Sequence, residues 1–372
     1  MEEEYISSSL SGNCRPGVYP RLVMCPNEVD VARSRLYVSP YDGAYASVVN
    51  KANQSLVTPS GDYDRPTEDS NSSIAKAAAL VALMENNSEM AAKAITGVSY
   101  LRDNWEFGYG LGTTDLFIRI VQYLVKGLEA YDLIMGGNFA TAEDQLAMEE
   151  ALGAIAAKLY DTWVVGEGMF IVQICQNNYN AKLSTTLGIA ALMLDNDPRK
   201  DEWLRFAITE ANRFYGDERV DVNLYLSEEG VCKEPPSYFD FGSKAILPFS
   251  ILYEYMIGGK QTYLNQCVVS TEECRKGNIT LRGPLHSDRL KKAYEWLVKI
   301  QMPDGNRPSI DEGTADSPPN GCPLWQYIDG STLTLWDYLR YRGEDFTDDD
   351  WIGYNLSRVD FSQAPVSVDL AE

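Results

Sequence analysis

The chain has 372 residues, 45% hydrophobic and 11% aromatic, enough for one large core or two ordinary ones. Its 54 acidic residues against 32 basic leave a net charge of −22, which argues against a general nucleic-acid binder and disfavours an anionic ligand unless basic residues converge in one cleft. No apolar run approaches the roughly 18 residues a membrane helix needs, so no membrane span is expected.

In chain order, residues 1–18 read as an irregular lead-in; MEEEYISSS is acidic and lacks the apolar stretch of a signal peptide. A short helix follows at about 27–36, and residues 53–72, rich in Ser, Pro, Asp and Asn, read as loop. Helical spacing then dominates. Helices at 74–84 and 89–103 are separated by the turn Asn86-Asn87-Ser88. Residues 104–113, NWEFGYGLGT, form an aromatic, glycine-rich loop. Thr114 or Asp115 caps the next helix, which runs to about Ile134 before Gly136-Gly137-Asn138 breaks it.

Further helices are predicted at 142–163, 170–194 and 198–214. Residues 216–237 read as loop with a short hairpin, 238–257 as helix and 258–284 as irregular. A helix at 287–301 comes after His286, and 302–330 is a long proline-rich loop. Ser331 caps a last helix to about Arg342, and 346–372 is a polar tail. Roughly ten helices paired by short turns predict an all-α fold. If the hairpins close on themselves they make an (α/α) toroid, an incomplete barrel over 19–345, with its long loops at one mouth.

Two stretches carry candidate chemistry. In KEPPSYFDFGSKAILPF, the two prolines make a stiff turn and Ser237 can cap the helix behind it, so Tyr238 stands where a rigid loop meets a helix N-terminus. That end favours negative charge, including a tyrosinate. In Gln176-Asn177-Asn178-Tyr179-Asn180, amides flank one tyrosine; Asn178 and Asn180 fall on different helix faces, so only one or two amides point at any one ligand. The 23 tyrosines and 7 tryptophans suit sugar stacking as well as packing, with Trp105 and Tyr109 on one side of a cleft and Trp325 on the other.

Seven cysteines include Cys14/Cys25 and Cys267/Cys274, which can close short loops in an oxidising compartment; Cys175 lies in an apolar run and reads as a buried thiol. With no CxxC pair and no Cys/His cluster, neither a zinc site nor another cofactor is expected. Sequons at Asn53, Asn71, Asn86, Asn278 and Asn355 permit glycosylation.

Three phrases in order, YPRLVMCPNEVDVARSRL, QNNYNAKLSTTLGIAALML and EEGVCKEPPSYFDFGSKAILPF, resemble the helical toroid domain of the heparinase II/III-like and alginate lyase-like polysaccharide lyases. They span roughly residues 19–250, and the length fits the single-domain members that act on glucuronan or alginate. The resemblance implies β-elimination at a uronic acid of an anionic polysaccharide, outside the cell or in the periplasm. It implies Tyr238 as base and acid, Asn178 (or Asn180) as the amide that neutralises the carboxylate, and assistance from Tyr179. Lys233 and Arg307 would hold the anionic chain, with Glu234 and His286 beside them.

One departure is clear: many relatives carry a histidine in or next to the Asn motif, where this chain has Tyr179 and Asn180, and its one histidine is His286. Two other readings remain open. One is a toroid glycoside hydrolase pairing Glu234 with Asp311 or Glu312. The other is a non-catalytic glycan-binding protein.

Overall fold

The computed structural model describes residues 14–59, 65–105, 111–166, 178–215, 226–227, 229–232, 236–258, 261–265, 277–281, 285, 287–302, 307–308, 324 and 351–363. Eleven α-helices are found among them: α1 (Val29–Arg35), α2 (Tyr41–Ala52), α3 (Arg65–Glu85), α4 (Ser88–Ser99), α5 (Leu111–Gly136), α6 (Ala142–Tyr160), α7 (Asn178–Met193), α8 (Lys200–Tyr215), α9 (Pro236–Met256), α10 (Asp288–Lys299) and α11 (Ile352–Arg358). Local chemistry sets many of the ends. Asn87 caps α4 by accepting from the Glu89 and Met90 N–H groups, and Thr141 and Asp144 form a capping box on α6. Asn86 and Asn138 take positive φ in the turns after α3 and α5. Pro236 occupies the first position of α9, where its missing N–H costs nothing.

Alternate helices line the inside. α3 packs on α5, α5 on α7 and α7 on α9, while α4, α6 and α8 lie between them on the outside. The inner helices run parallel. Lys126 of α5 donates to Ser73 of α3 at 3.0 Å, and three residues further along both helices Lys76 meets Glu129 at 2.7 Å. On the other side Gly188 of α7 lies against Phe249 of α9, where a Cβ would come 2.3 Å from the ring. Lys182 and Lys244 share one recess further up. These pairs run in the same direction along the two helices. The arrangement is an (α/α) toroid, as the helical hairpins predict. α7 is buried at every position except Tyr179. A helix enclosed on all sides has no solvent face, which fits the small and apolar run from Leu187 to Met193 and requires the polar residues before it to be partnered inside the protein.

The phrase that opens the toroid crosses the far ends of α5 and α7. Asp132 of α5 accepts the backbone N–H groups of Arg21 at 2.7 Å, Leu22 at 3.0 Å and Val23 at 2.9 Å. Arg21 is itself buried, donates to Met193 O at 3.0 Å and pairs with Asp195. A disulfide joins Cys14 to Cys25, with a Cα–Cα distance of 5.1 Å.

Several expectations are revised. α3 begins at Arg65, inside the stretch read as loop, because its polar first turns are held by partners: the Asn71 amide bonds both Val57 N and Val57 O, and Ser72 and Ser73 donate to Asp69 O. α2 adds a helix between residues 37 and 52 that the periodicity did not announce. α5 starts at Leu111, so Thr114 and Asp115 lie within it, and Ser237 lies within α9 rather than capping it. Residues 258–284 contain an antiparallel hairpin, β1 (Gln261–Asn265) with β2 (Gly277–Leu281).

The segment read as a polar tail contains α11, buried along its length. There Arg358 pairs with Glu28, Arg35 donates to Leu356 O, and Tyr354 donates to Glu129 of α5 at 2.8 Å. The sequons at Asn71 and Asn355 are buried and closed to a glycan. The Cys267/Cys274 pair, Cys175 and the helix expected after Ser331 lie outside the described residues.

Two measurements check this frame. Cys14→Ser should lower stability by roughly 3 kcal/mol in denaturant unfolding, from the entropy of the opened loop. Asp132→Ala, which orphans three buried donors, should cost about 3–5 kcal/mol. Burial pushes the Asp132 carboxyl up to about 6, against the three N–H groups and Arg21 that pull it down. The folded state thus holds this proton more tightly than the unfolded chain. The group's contribution is full below the unfolded pKa of 3.8 and is lost as pH rises through about 6. Wild-type stability should therefore exceed that of Asp132→Asn by more at pH 4.5 than at pH 7.

Candidate functional site

Each inner helix carries one lysine: Lys76 in SSIAKAAAL, Lys126 in VQYLVKGL, Lys182 in NAKLSTTL and Lys244 in SKAILPF. The toroid brings the four together. They line a single recess of about 20 Å³ with Gln122, Val125 and Glu129. Among those lining residues Glu129 is the one acid, and it pairs with Lys76, both side chains almost wholly buried. Tyr354 braces the same carboxylate; burial, then the Glu129 charge, drives its hydroxyl well above the usual tyrosine range. Sequence reasoning missed this cluster, although a lone lysine in each apolar helix was a readable signal: a charge on a buried face needs a reason.

Asn178 stands one turn before Lys182 on the same stripe of α7 and is 4% exposed. Asn180 points elsewhere: its amide donates to Glu210 of α8 at 3.1 Å, both groups buried. That bond ties Asn180 to the outer layer. Tyr179 is half-buried against the core. Tyr238 is the third residue of α9 and is 37% exposed. α7 and α9 pack together and run in the same direction, so Asn178 and Tyr238, each in the first turn of its helix, stand at the same end of adjacent helices. The first turn of α9 also presents its backbone N–H groups at that end.

Two expected substrate contacts turn inward. Arg307 is fully buried and its Nε donates to Leu297 O at 2.9 Å, closing the C-terminal end of α10. Trp105, expected to stack on a sugar, is 1% exposed and packs under the Lys158 ammonium, 4.7 Å from the ring centroid. Both are large side chains with one polar group, and the core claims their apolar surface. Lys233, Glu234, Tyr109, Trp325 and His286 lie outside the described residues, as do Asp311 and Glu312.

No family model matches the chain, and no curated protein matches it in sequence. Among solved structures, the crystal structure of an alginate lyase from Bacteroides ovatus matches with a TM-score of 0.50 and 12% sequence identity, covering 93% of this chain and 97% of that chain. The likeness runs over nearly the whole of both chains, and the fold is alginate-lyase-like.

Proposed function

We propose that the protein is a polysaccharide lyase that cleaves a uronic-acid glycan by β-elimination. What supports this reading is that Asn178 and Tyr238 each stand in the first turn of adjacent helices, α7 and α9, that run in the same direction. An exposed phenol and an amide at the same mouth are the two groups the reaction needs. The fold shared with an alginate lyase supports the same reading.

The C5 proton of a uronate is weakly acidic because the neighbouring carboxylate already carries charge. Asn178 donates its amide N–H to that carboxylate, so charge leaving C5 spreads onto it as an aci-carboxylate. Tyr238, as tyrosinate, takes the C5 proton. The C5 electron pair then forms the C4–C5 double bond as the C4–O4 bond breaks, and Tyr238 returns its proton to O4. One residue serves both steps when proton and leaving oxygen lie on one face of the ring, the syn geometry of glucuronate and mannuronate. Positive charge nearby favours the ionised form of a phenol. The α9 N-terminus supplies part of it. The Cys14–Cys25 disulfide fits an oxidising, secreted or periplasmic setting.

Turnover is read as the ultraviolet absorbance of the new conjugated double bond on glucuronan and alginate blocks. Tyr238→Phe should lower kcat by roughly 10²–10⁴-fold, with thermal stability unchanged because the side chain is exposed. Near-normal turnover in that variant would sink the assignment. Asn178→Ala should cost about 10²–10³-fold in kcat, whereas Asn180→Ala should act chiefly on stability through Glu210.

A further inference from the structure

We propose that the cleft at the far end of the ring is a sugar-binding site separate from the Tyr238 mouth, one that takes a neutral pyranose unit rather than a uronate. The cleft holds about 250 Å³. That is just below the roughly 300–1,000 Å³ of drug-sized ligand sites and suits one sugar ring. Tyr19 on its wall donates to Met193 O at 3.1 Å, and Met193 ends the helix that Asn178 begins. The 16 residues of α7 therefore put about 22 Å of helix between this cleft and Asn178.

The walls are rigid before any ligand arrives. Pro20 packs on Gly136 of α5 so closely that a Cβ there would come 2.5 Å from its ring, and Phe139 closes over Gly137. A preformed wall of this kind loses little freedom on binding. Pro26 and Phe139 offer apolar surface to the C–H face of a sugar ring. Asp30, Arg33 and Asn86 supply an acceptor, a donor and an amide that is both, the set that ring hydroxyls need.

Charge selects the class of sugar. Arg33 pairs with Asp30 at 3.2 Å and donates to Leu83 O at 2.8 Å and Met84 O at 3.2 Å in the last turn of α3, so its charge is already answered. α5 also ends at the cleft, at Gly136, and two helix C-termini thus turn their partial negative charge toward it. A uronate carboxylate would meet these ends and Asp30. A neutral sugar meets no such repulsion.

An aromatic platform stands beside the cleft. Tyr37, one turn beyond Arg33, is 76% exposed, and its ring meets that of Tyr45 edge-on at 6.1 Å. Tyr45 in turn donates at 2.9 Å to Glu85, the residue before Asn86. A ring held and exposed in this way stacks on the next sugar of an oligosaccharide. The site stands without the lyase reading, because none of its residues belongs to the Tyr238 mouth.

Titration calorimetry of the full chain, carrying Tyr238→Phe to prevent turnover, tests the site with cellotetraose, maltotetraose, mannotetraose and an alginate tetrasaccharide. At least one neutral probe should bind. Asn86→Gly keeps the positive φ of 53° while removing the amide, and Tyr37→Ala removes an exposed ring. Each should weaken that binding by about 3–10-fold. The alginate probe, wherever it binds, should be insensitive to both substitutions. No binding of any neutral probe, or binding that both substitutions leave unchanged, overturns the site. Alginate binding weakened by the same substitutions overturns the neutral class. No readout needs turnover, so the lyase reading can fail without this one failing.

Discussion

Ammonium groups held together inside a helical ring are the constraint around which this molecule is built. Desolvation and like-charge repulsion both oppose the arrangement, so the surrounding structure must over-determine it. It does so through Glu129. That one carboxylate on α5 grips Lys76 of α3 and receives the Tyr354 hydroxyl from α11, near the other end of the chain. A buried ion pair of this kind contributes little net stability but is costly to break. It therefore fixes which helices are neighbours rather than how strongly they adhere.

The same logic runs down the inner helices. α7 is enclosed on nearly every side, so its polar residues must find partners inside the protein. Thr185 and Ser184 bond back to Ala181 O, and Asn180 reaches across to Glu210. Gly188 removes a side chain where Phe249 and Ala207 crowd the helix, which allows α9 and α8 to approach from two directions. A helix so constrained is a rigid base for whatever projects from its first turn. Asn178 is there, and Tyr238 stands in the first turn of the next inner helix. At the opposite end, Asp132 and Arg21 clamp the entry segment across α5 and α7. The far end is closed by polar bonds while the near end presents an exposed phenol.

Local chemistry was legible in the sequence wherever a few adjacent residues decide the outcome. The turns at Asn86 and Asn138 follow from residues that tolerate positive φ, and the apolar spacing announced α4, α6 and α8 closely. The disulfide between Cys14 and Cys25 was readable from their short separation. The helix start that exposes Tyr238 followed from the two prolines before it, although Pro236 rather than Ser237 opens the helix. The toroid was readable as a class, because paired helices with short turns have few ways to bury their faces.

Where polar and aromatic side chains end up was a different matter, because partners far away in the chain decide it. Arg307 and Trp105 looked like cleft residues by type, yet Leu297 O and the core claim them. The polar start of α3 became helix because Val57 meets the Asn71 amide, and the polar tail became a buried helix because Glu28, Arg35 and Glu129 receive it. The four lysines are separated by at least fifty residues in every pairing (126 − 76, 182 − 126, 244 − 182), and only the packing of the inner helices brings them to one recess. The sequence by itself determined the helices with a clear apolar face, the turns between them and the residues available at their ends. Tertiary structure alone decided which charges meet, since burial and Coulomb energy depend on neighbours in space, not on neighbours along the chain.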